Sequence, residues 1–320
     1  MMFLKEKKQQ NSCLQSKSLR NKMLRKEIWR HRELYLFMLP GIVLVLIFSY
    51  APMYGVLMAF QDVKIGDAFG QSDWVGLYHF KRFFNSHWLP IILKNTIIIA
   101  LLTHVLAWPS APILALLLHN SNKRKLSKVV QNCTYLPYLL SIVIVVSILN
   151  VFCGESGFVN IILKNLGRER INFFGDPNWV YPFHLILTFW MSTGYGAVVY
   201  LGALSSIDEE IIEASRIDGA GKLKCIWHIQ IPSIMPTLIT MLILNMGYVF
   251  TVGTDKALLL QTDLNLTNSE VVATYVYKAG VSQLQYGFST AMGLFQNLIN
   301  FVMLLTVNGI SRKVSDTSVI

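Results

Sequence analysis

Carboxylates are scarce in this sequence, and they are missing where an ion-driven carrier most needs them. Of 320 residues, 18 are Asp or Glu, against 28 Lys and Arg. None stands at the centre of a long apolar run; Glu155, Asp255 and Glu270 lie near the ends of such runs or in loops. Ion-coupled carriers rely on an ionisable group in mid-membrane, so this absence weighs against a proton- or sodium-driven mechanism. His104 and His184 do fall inside apolar stretches, and each is read as a hydrogen-bonded packing residue. Cysteine is sparser still, with four residues. Cys13, Cys133, Cys153 and Cys225 make no C-x-x-C pair and no cluster with histidines, so neither a metal site nor a disulfide framework is indicated. Enzyme signatures are missing too. There is no G-x-x-x-x-G-K-[ST] to cradle ATP phosphates, no H-E-x-x-H and no G-x-S-x-G. A membrane-embedded enzyme of glycan synthesis would need a catalytic acid or metal site, and none is found. No catalytic, metal or cofactor residue is assigned to this chain.

What is present is apolar. Hydrophobic residues make up 53% of the chain and charged residues only 14%, where soluble domains carry about a quarter. Apolar stretches near the length of a membrane span, about 20 residues, occur at about 34–60, 91–118, 129–152, 180–204, 233–253 and 287–308. Backbone in lipid must satisfy its own hydrogen bonds, so the fold class is an all-α membrane protein of about six transmembrane helices. The basic residues decide its orientation. Ten lie before residue 34, from Lys5 to Arg32; with Lys123, Arg124, Lys125, Lys128, Arg216, Lys222, Lys224, Arg312 and Lys313 they make nineteen on one side. The opposite loops hold eight. Both termini and the loop after the fourth span are therefore expected in the cytoplasm. The tail, rich in Gln, Asn and Ser, is expected to be disordered at first, with a surface helix from Lys26 to Glu33. The apolar stretch that follows is too long for a signal peptide and lacks an A-x-A site.

Loop 206–232 reads as ordered. Ser206 and Glu209 have the spacing of a capping box. Asp208, Glu209, Glu210 and Glu213 crowd the first turns, where the helix dipole favours acids. They face a partner more readily than a metal. Asp218-Gly219-Ala220-Gly221 then stops the helix, with glycine free to take positive φ. Its apolar stripe needs something to dock against, either a partner or the lipid headgroups, although an acidic face is ill suited to an anionic leaflet.

Polar and aromatic residues recur at helical spacing inside the spans. Thr237, Met241, Asn245, Tyr248 and Thr251 or Val252 share one face of the fifth; Thr290, Gly293, Asn297 and Asn300 one face of the sixth. Trp190, Thr193, Ala197 and Tyr200 align on the fourth, where Gly194 and Gly196 permit close approach. Such faces serve helix packing or line a water-filled path. Amides, hydroxyls and rings suit sugars, which offer hydroxyls and C–H faces. The candidate path residues are Trp190, Thr193, Tyr200, Asn245, Tyr248, Thr251 and Asn297. Trp74, Tyr78, Phe80, Phe83, Phe84, Trp88, Phe173, Phe174 and Trp179 crowd the outer loops, as an interfacial belt or a landing surface for an external partner.

Glu213-Ala214-Ser215, three residues, Gly219, nine residues, Ile229-Gln230-Ile231-Pro232 resembles the E-A-A loop signature of permease subunits of binding-protein-dependent, ATP-driven importers. Ser215 and Ile231 replace Ala and Leu. Leu39-Pro40-Gly41, Tyr50-Ala51-Pro52-Met53-Tyr54-Gly55, Asn95-Thr96, Tyr135-Leu136-Pro137, Thr274-Tyr275-Val276-Tyr277 and Asn308-Gly309-Ile310-Ser311-Arg312-Lys313 resemble the polysaccharide branch of that family, which includes the first permease of the alginate importer. The resemblance implies a type I ABC importer permease fold in the bacterial plasma membrane. It implies a transmembrane domain over 34–310 with a coupling loop at 205–232 and a cytoplasmic C-terminus over 311–320; the basic tail over 1–33 is no part of the shared pattern. ATPase coupling would fall to Glu209, Glu213, Ala214, Ser215, Asp218, Gly219, Gly221, Ile229 and Pro232. The implied partners are a second homologous permease, two ATP-binding subunits that hold the ATP and Mg, an extracytoplasmic substrate-binding protein and an oligosaccharide; no nucleic acid is implied. The alternatives are a permease of the same kind for another solute such as glycerol phosphate, and an ion-coupled sugar carrier.

Overall fold

The computed structural model describes residues 29–64, 66, 67 and 71–314. The tail expected to be disordered and the final residues lie outside these, and the surface helix expected from Lys26 is described only from Trp29. Two compact units divide the chain, Met1–Leu57 and Met58–Ile320. In the first, Arg32–Val45 is α-helix and Leu46–Tyr50 a π-turn. No residue of either is buried; Phe37, Leu36 and Phe48 stand exposed, as side chains do that have lipid for solvent.

Among the described residues, six helical runs are long and apolar enough to cross a membrane: Arg32–Phe60, Leu89–His119, Ile142–Asn165, Pro177–Ser205, Lys222–Met246 and Tyr286–Arg312. Three contain a π-turn, at Leu46–Tyr50, Leu102–Ala107 and Ile226–Gln230. Each turn holds the residue four before a proline: Pro52, Pro109 and Pro232. Proline has no N–H and its ring collides with the carbonyl four residues back. The wider turn absorbs the misfit without ending the run.

The third span differs from the sequence expectation. The stretch expected to be one helix over 129–152 is two. Arg124–Tyr135 runs into a 3-10 turn at Leu136–Leu139, Leu140 is extended, and Ser141 caps Ile142–Cys153 by accepting from Val143 N–H at 3.3 Å. Pro137 stands within the first turn after the α-helical register is lost, and a serine is waiting to start the next helix. The apolar run simply hid a polar cap.

The bundle packs through small residues. Ala111 and Ala115 of the second span meet Ala197, Tyr200 and Leu204 of the fourth and Ile234 of the fifth. A Cβ on Gly194 would strike the Thr134 carbonyl, and one on Gly196 would lie 3.0 Å from Ala111 Cβ. Ser110 Oγ and Thr193 Oγ1 share a hydrogen bond of 2.6 Å across the same seam. Without a hydrophobic drive in lipid, close approach and hydrogen bonds of this kind hold helices together.

Between the last two spans lies a compact segment of short helices, Thr254–Leu260, Leu266–Ser269 and Val272–Tyr277. Buried polar side chains tie it down. Asn95 donates to the Thr267 and Glu270 carbonyls at 3.0 and 2.9 Å and accepts from Tyr181 at 2.7 Å. Thr96 accepts from Val272 N–H at 3.0 Å. Glu270 accepts from Thr274 and pairs with Lys278 at 2.6 Å. Each bond satisfies a group that would cost ~1–3 kcal/mol if buried alone. A two-stranded antiparallel ribbon pairs Gln61–Asp62 with Asp73–Trp74.

Candidate functional site

Two places carry chemistry. The first is loop 206–232. Its helix is Glu209–Ile217, and its N-cap is Asp208, whose carboxylate accepts from Glu210 N–H at 3.1 Å. This departs from the expected capping box on Ser206. Ser206 ends the fourth span instead, its hydroxyl donating back to the Ala203 carbonyl at 2.8 Å, and so is unavailable as a cap. The helix terminates as expected. Gly219 takes φ +80; Ala220 N–H bonds the Ser215 carbonyl at 2.9 Å and Gly219 N–H the Arg216 carbonyl at 3.1 Å. These paired bonds form a Schellman motif. Ile212 is buried and Ser215 half-buried, while Glu209, Glu213, Ala214, Asp218, Gly219 and Gly221 are exposed. The loop thus offers an acidic, unpartnered outer face on a stiffly ended helix.

What anchors the loop is Gln230, between Ile229 and Ile231, to which the sequence motifs assign no role. It is 1% exposed. It and Asn120, at the end of the second span, exchange hydrogen bonds of 2.7 and 2.9 Å. Lys222 adds a bond to Asn122 at 3.1 Å. Ile229 is half-buried beside this clasp, and Pro232 follows it, exposed, in the π-turned start of the fifth span.

The second place is a cavity of about 560 Å³, within the usual range for ligand sites. The second span contributes Thr103, His104 and Trp108; the fourth Thr188, Ser192, Tyr195 and Tyr200; the fifth Met241 and Asn245. Tyr138, from the 3-10 turn that breaks the third span, stacks on Tyr195 with ring centroids 3.8 Å apart. The fifth-span helix stops at Met246, short of the expected 253, and unwound chain brings Tyr248, Thr251, Val252 and Gly253 to the wall. Irregular backbone is tolerated at membrane depth where it is held by protein or lines a cavity. Here the sixth span holds it: Asn300 accepts from Phe250 N–H at 2.9 Å and donates to Thr251 at 3.0 Å, and Gln296 donates to the Phe250 carbonyl at 2.9 Å.

Of the seven expected path residues, Tyr200, Asn245, Tyr248 and Thr251 line this cavity. Trp190, Thr193 and Asn297 do not; Thr193 binds Ser110 in the seam, while Trp190 and Asn297 are exposed. Asn245 is tied to the Met241 carbonyl at 2.7 Å, and His104 Nδ1 to the Ala100 carbonyl at 2.9 Å. His184, also read as a hydrogen-bonded packing residue, is fully buried with both ring nitrogens unpartnered. Sequence reasoning missed Trp108, Tyr138, Tyr195 and Lys256, because no single span carries them in one periodic row.

Lys256 is the cation of the cavity. It is half-buried by area because it borders the cavity, yet the packing around its amine pushes its pKa from 10.5 down to about 8. Its Nζ donates to Thr188 Oγ1 at 2.6 Å; that hydroxyl spends its own proton on the His184 carbonyl at 2.7 Å.

Helices long and apolar enough to cross a membrane, a polar, aromatic-walled cavity between several of them and a capped acidic loop helix define a membrane transport subunit. The chain belongs to the family described as binding-protein-dependent transport system inner membrane component, whose model matches residues 111–316. It is an ABC importer permease subunit of the inner membrane. It is 38% identical to Protein LplB of Bacillus subtilis (strain 168), over 89% of this chain and 90% of that one. It is 34% identical to the polygalacturonan/rhamnogalacturonan transport system permease protein YteP of the same organism, over 95% and 94%. Its fold matches a chain of a bacterial alginate ABC transporter, solved in complex with an alginate pentasaccharide-bound periplasmic protein, with a TM-score of 0.83 and 32% identity over 92% of this chain and 99% of that one.

Proposed function

We propose that this subunit imports oligosaccharides. It forms half of the pathway beside a second homologous permease, with both termini and loop 206–232 in the cytoplasm. Two ATP-binding subunits hold the ATP and Mg, and one of them receives the loop helix Glu209–Ile217. An extracytoplasmic binding protein delivers the sugar from the opposite side. The observation that carries the reading is the cavity wall, which holds the rings of Trp108, Tyr138, Tyr195 and Tyr248 together with the polar groups of Thr103, Ser192, Asn245 and Thr251. Such a wall stacks on the C–H faces of sugar rings and bonds their hydroxyls. The relatives named for polygalacturonan and alginate support the same substrate class.

In this arrangement, ATP-driven closure of the ATPases moves the loop helix as a lever. The Asn120–Gln230 clasp passes that motion to the second and fifth spans, both of which line the cavity. A lever of this kind works only if it is stiff, and the Schellman end and the Asp208 cap make it so. The test is a mild-detergent pull-down of the tagged chain, with its co-purifying proteins identified by mass spectrometry. A second six-span permease and a P-loop ATPase are expected. Recovery of the chain alone, in a form that still transports, would overturn the reading.

A further inference from the structure

Lys256 stands apart from every other charge near the cavity. Among the described residues the one ion pair is Lys278–Glu270, so no carboxylate lies within ion-pair distance of the Lys256 amine. Its hydrogen bond to Thr188 occupies one of three ammonium donors. Beside it, His184 is fully buried and neither ring nitrogen has a partner. A cation taken out of water without a counter-charge is costly, and it lines the same cavity as Trp108, Tyr195 and Tyr248.

We infer that Lys256 is a recognition residue for an acidic sugar, its ammonium pairing with the carboxylate of a uronate unit while the aromatic wall holds the ring. The inference rests on the sugar-import reading and narrows it. A carboxylate fits better than a phosphate group. The cavity supplies one lysine, no arginine and no long helix N-terminus at that point, which suits one negative charge rather than two. In the translocation cycle the carboxylate supplies the missing counter-ion, so the site favours sugars that bring their own charge and disfavours neutral ones of equal size.

The test uses the assembled importer in detergent, without the binding protein, titrated calorimetrically with trigalacturonate, with its methyl ester and with glycerol phosphate. The wild type is expected to bind trigalacturonate at least tenfold more tightly than the ester. Lys256→Met, in a complex that still assembles, should abolish that ratio by lowering trigalacturonate affinity to that of the ester, and Lys256→Arg should restore most of it. Equal binding of acid and ester by the wild type overturns the inference, and that measurement needs no variant to fold. So does a ratio that survives in Lys256→Met. A lysine-dependent preference for glycerol phosphate overturns the carboxylate in favour of a phosphate. Failure of every sugar to bind, charged or esterified, overturns the sugar reading itself, and with it this one.

Discussion

Loop 206–232 and the cavity are built in opposite ways. The loop is nearly all local: its cap, helix, Schellman end and π-turn lie within about two dozen residues, and among the described residues its side-chain hydrogen bonds to distant chain run to Asn120 and Asn122. The cavity is all convergence. Three stretches of chain and the lone Tyr138 build it, and its wall includes unwound backbone pinned by Asn300 and Gln296 from a span that contributes nothing to the lining. In the importer proposed above, a part that docks on a single partner can be written in one segment. A part that must surround a cargo cannot.

That difference is first put at risk by Gly219→Pro. Gly219 sits at φ +80 and its N–H closes the helix end. Proline holds φ near −65° and has no N–H, a misfit worth roughly 3 kcal/mol or more. The lever end should melt, and transport should fall on the order of a hundredfold while membrane insertion and yield stay normal. Gly219→Ala makes the contrast: nothing lies within 4 Å of a Cβ there, so only the left-handed strain of about 1–2 kcal/mol applies. Glu213→Lys should uncouple similarly by reversing charge on the exposed face. Normal uptake by a stably assembled Gly219→Pro would sink the lever reading.

How far the sequence foretold each part follows from the same contrast. Six apolar runs and the glycine stop of the loop were legible, because a hydrocarbon slab and a positive φ leave strong marks on residue choice. The cap was misread by two residues, since Ser206 and Asp208 are both good caps and only the end of the fourth span decides between them. The break in the third span was hidden because Leu136–Ser141 keeps the apolar composition of its neighbours. Tyr200, Asn245, Tyr248 and Thr251 were found by periodicity, but the same reasoning also selected Asn297 and Trp190, which face outward. A 3.6-residue period shows that a face exists without showing what it meets. Gln230 and Lys256 were unreadable for a sharper reason: their roles depend on partners 110 and 68 residues away.

The clasp sharpens the comparison at the one point where the local part depends on a distant one. Gln230→Ala or Asn120→Ala leaves the other amide buried and unpaired, a loss of ~1–3 kcal/mol. Each should lower sugar-stimulated ATP hydrolysis roughly tenfold or less. The double variant should cost less than the sum, because the second change removes the stranded group. Additive losses would show that the two amides act separately.

The smallest effect, and the one that bears on the cavity alone, is pH dependence. Burial lowers the Lys256 pKa from 10.5 to about 8. For a base shifted down, the folded protein carries the charge below about 8 and loses it above, while the unfolded chain keeps it up to 10.5. Between those values the folded state binds fewer protons, so stability rises with pH as the buried charge is relieved. Ligand binding moves the other way. An anionic sugar needs the ammonium, so its affinity should fall as pH rises through 8, whereas that of a neutral ester should not. The titratable side chains near the amine are His184 on the fourth span and, on the cavity wall, His104, Tyr195, Tyr200 and Tyr248. Lys256→Arg separates them from the lysine: arginine stays charged across the range, so its variant should bind the acid with a flat profile from pH 7 to about 9. A sloping profile in that variant would move the titration to one of the tyrosines or histidines and leave Lys256 a spacer in the wall.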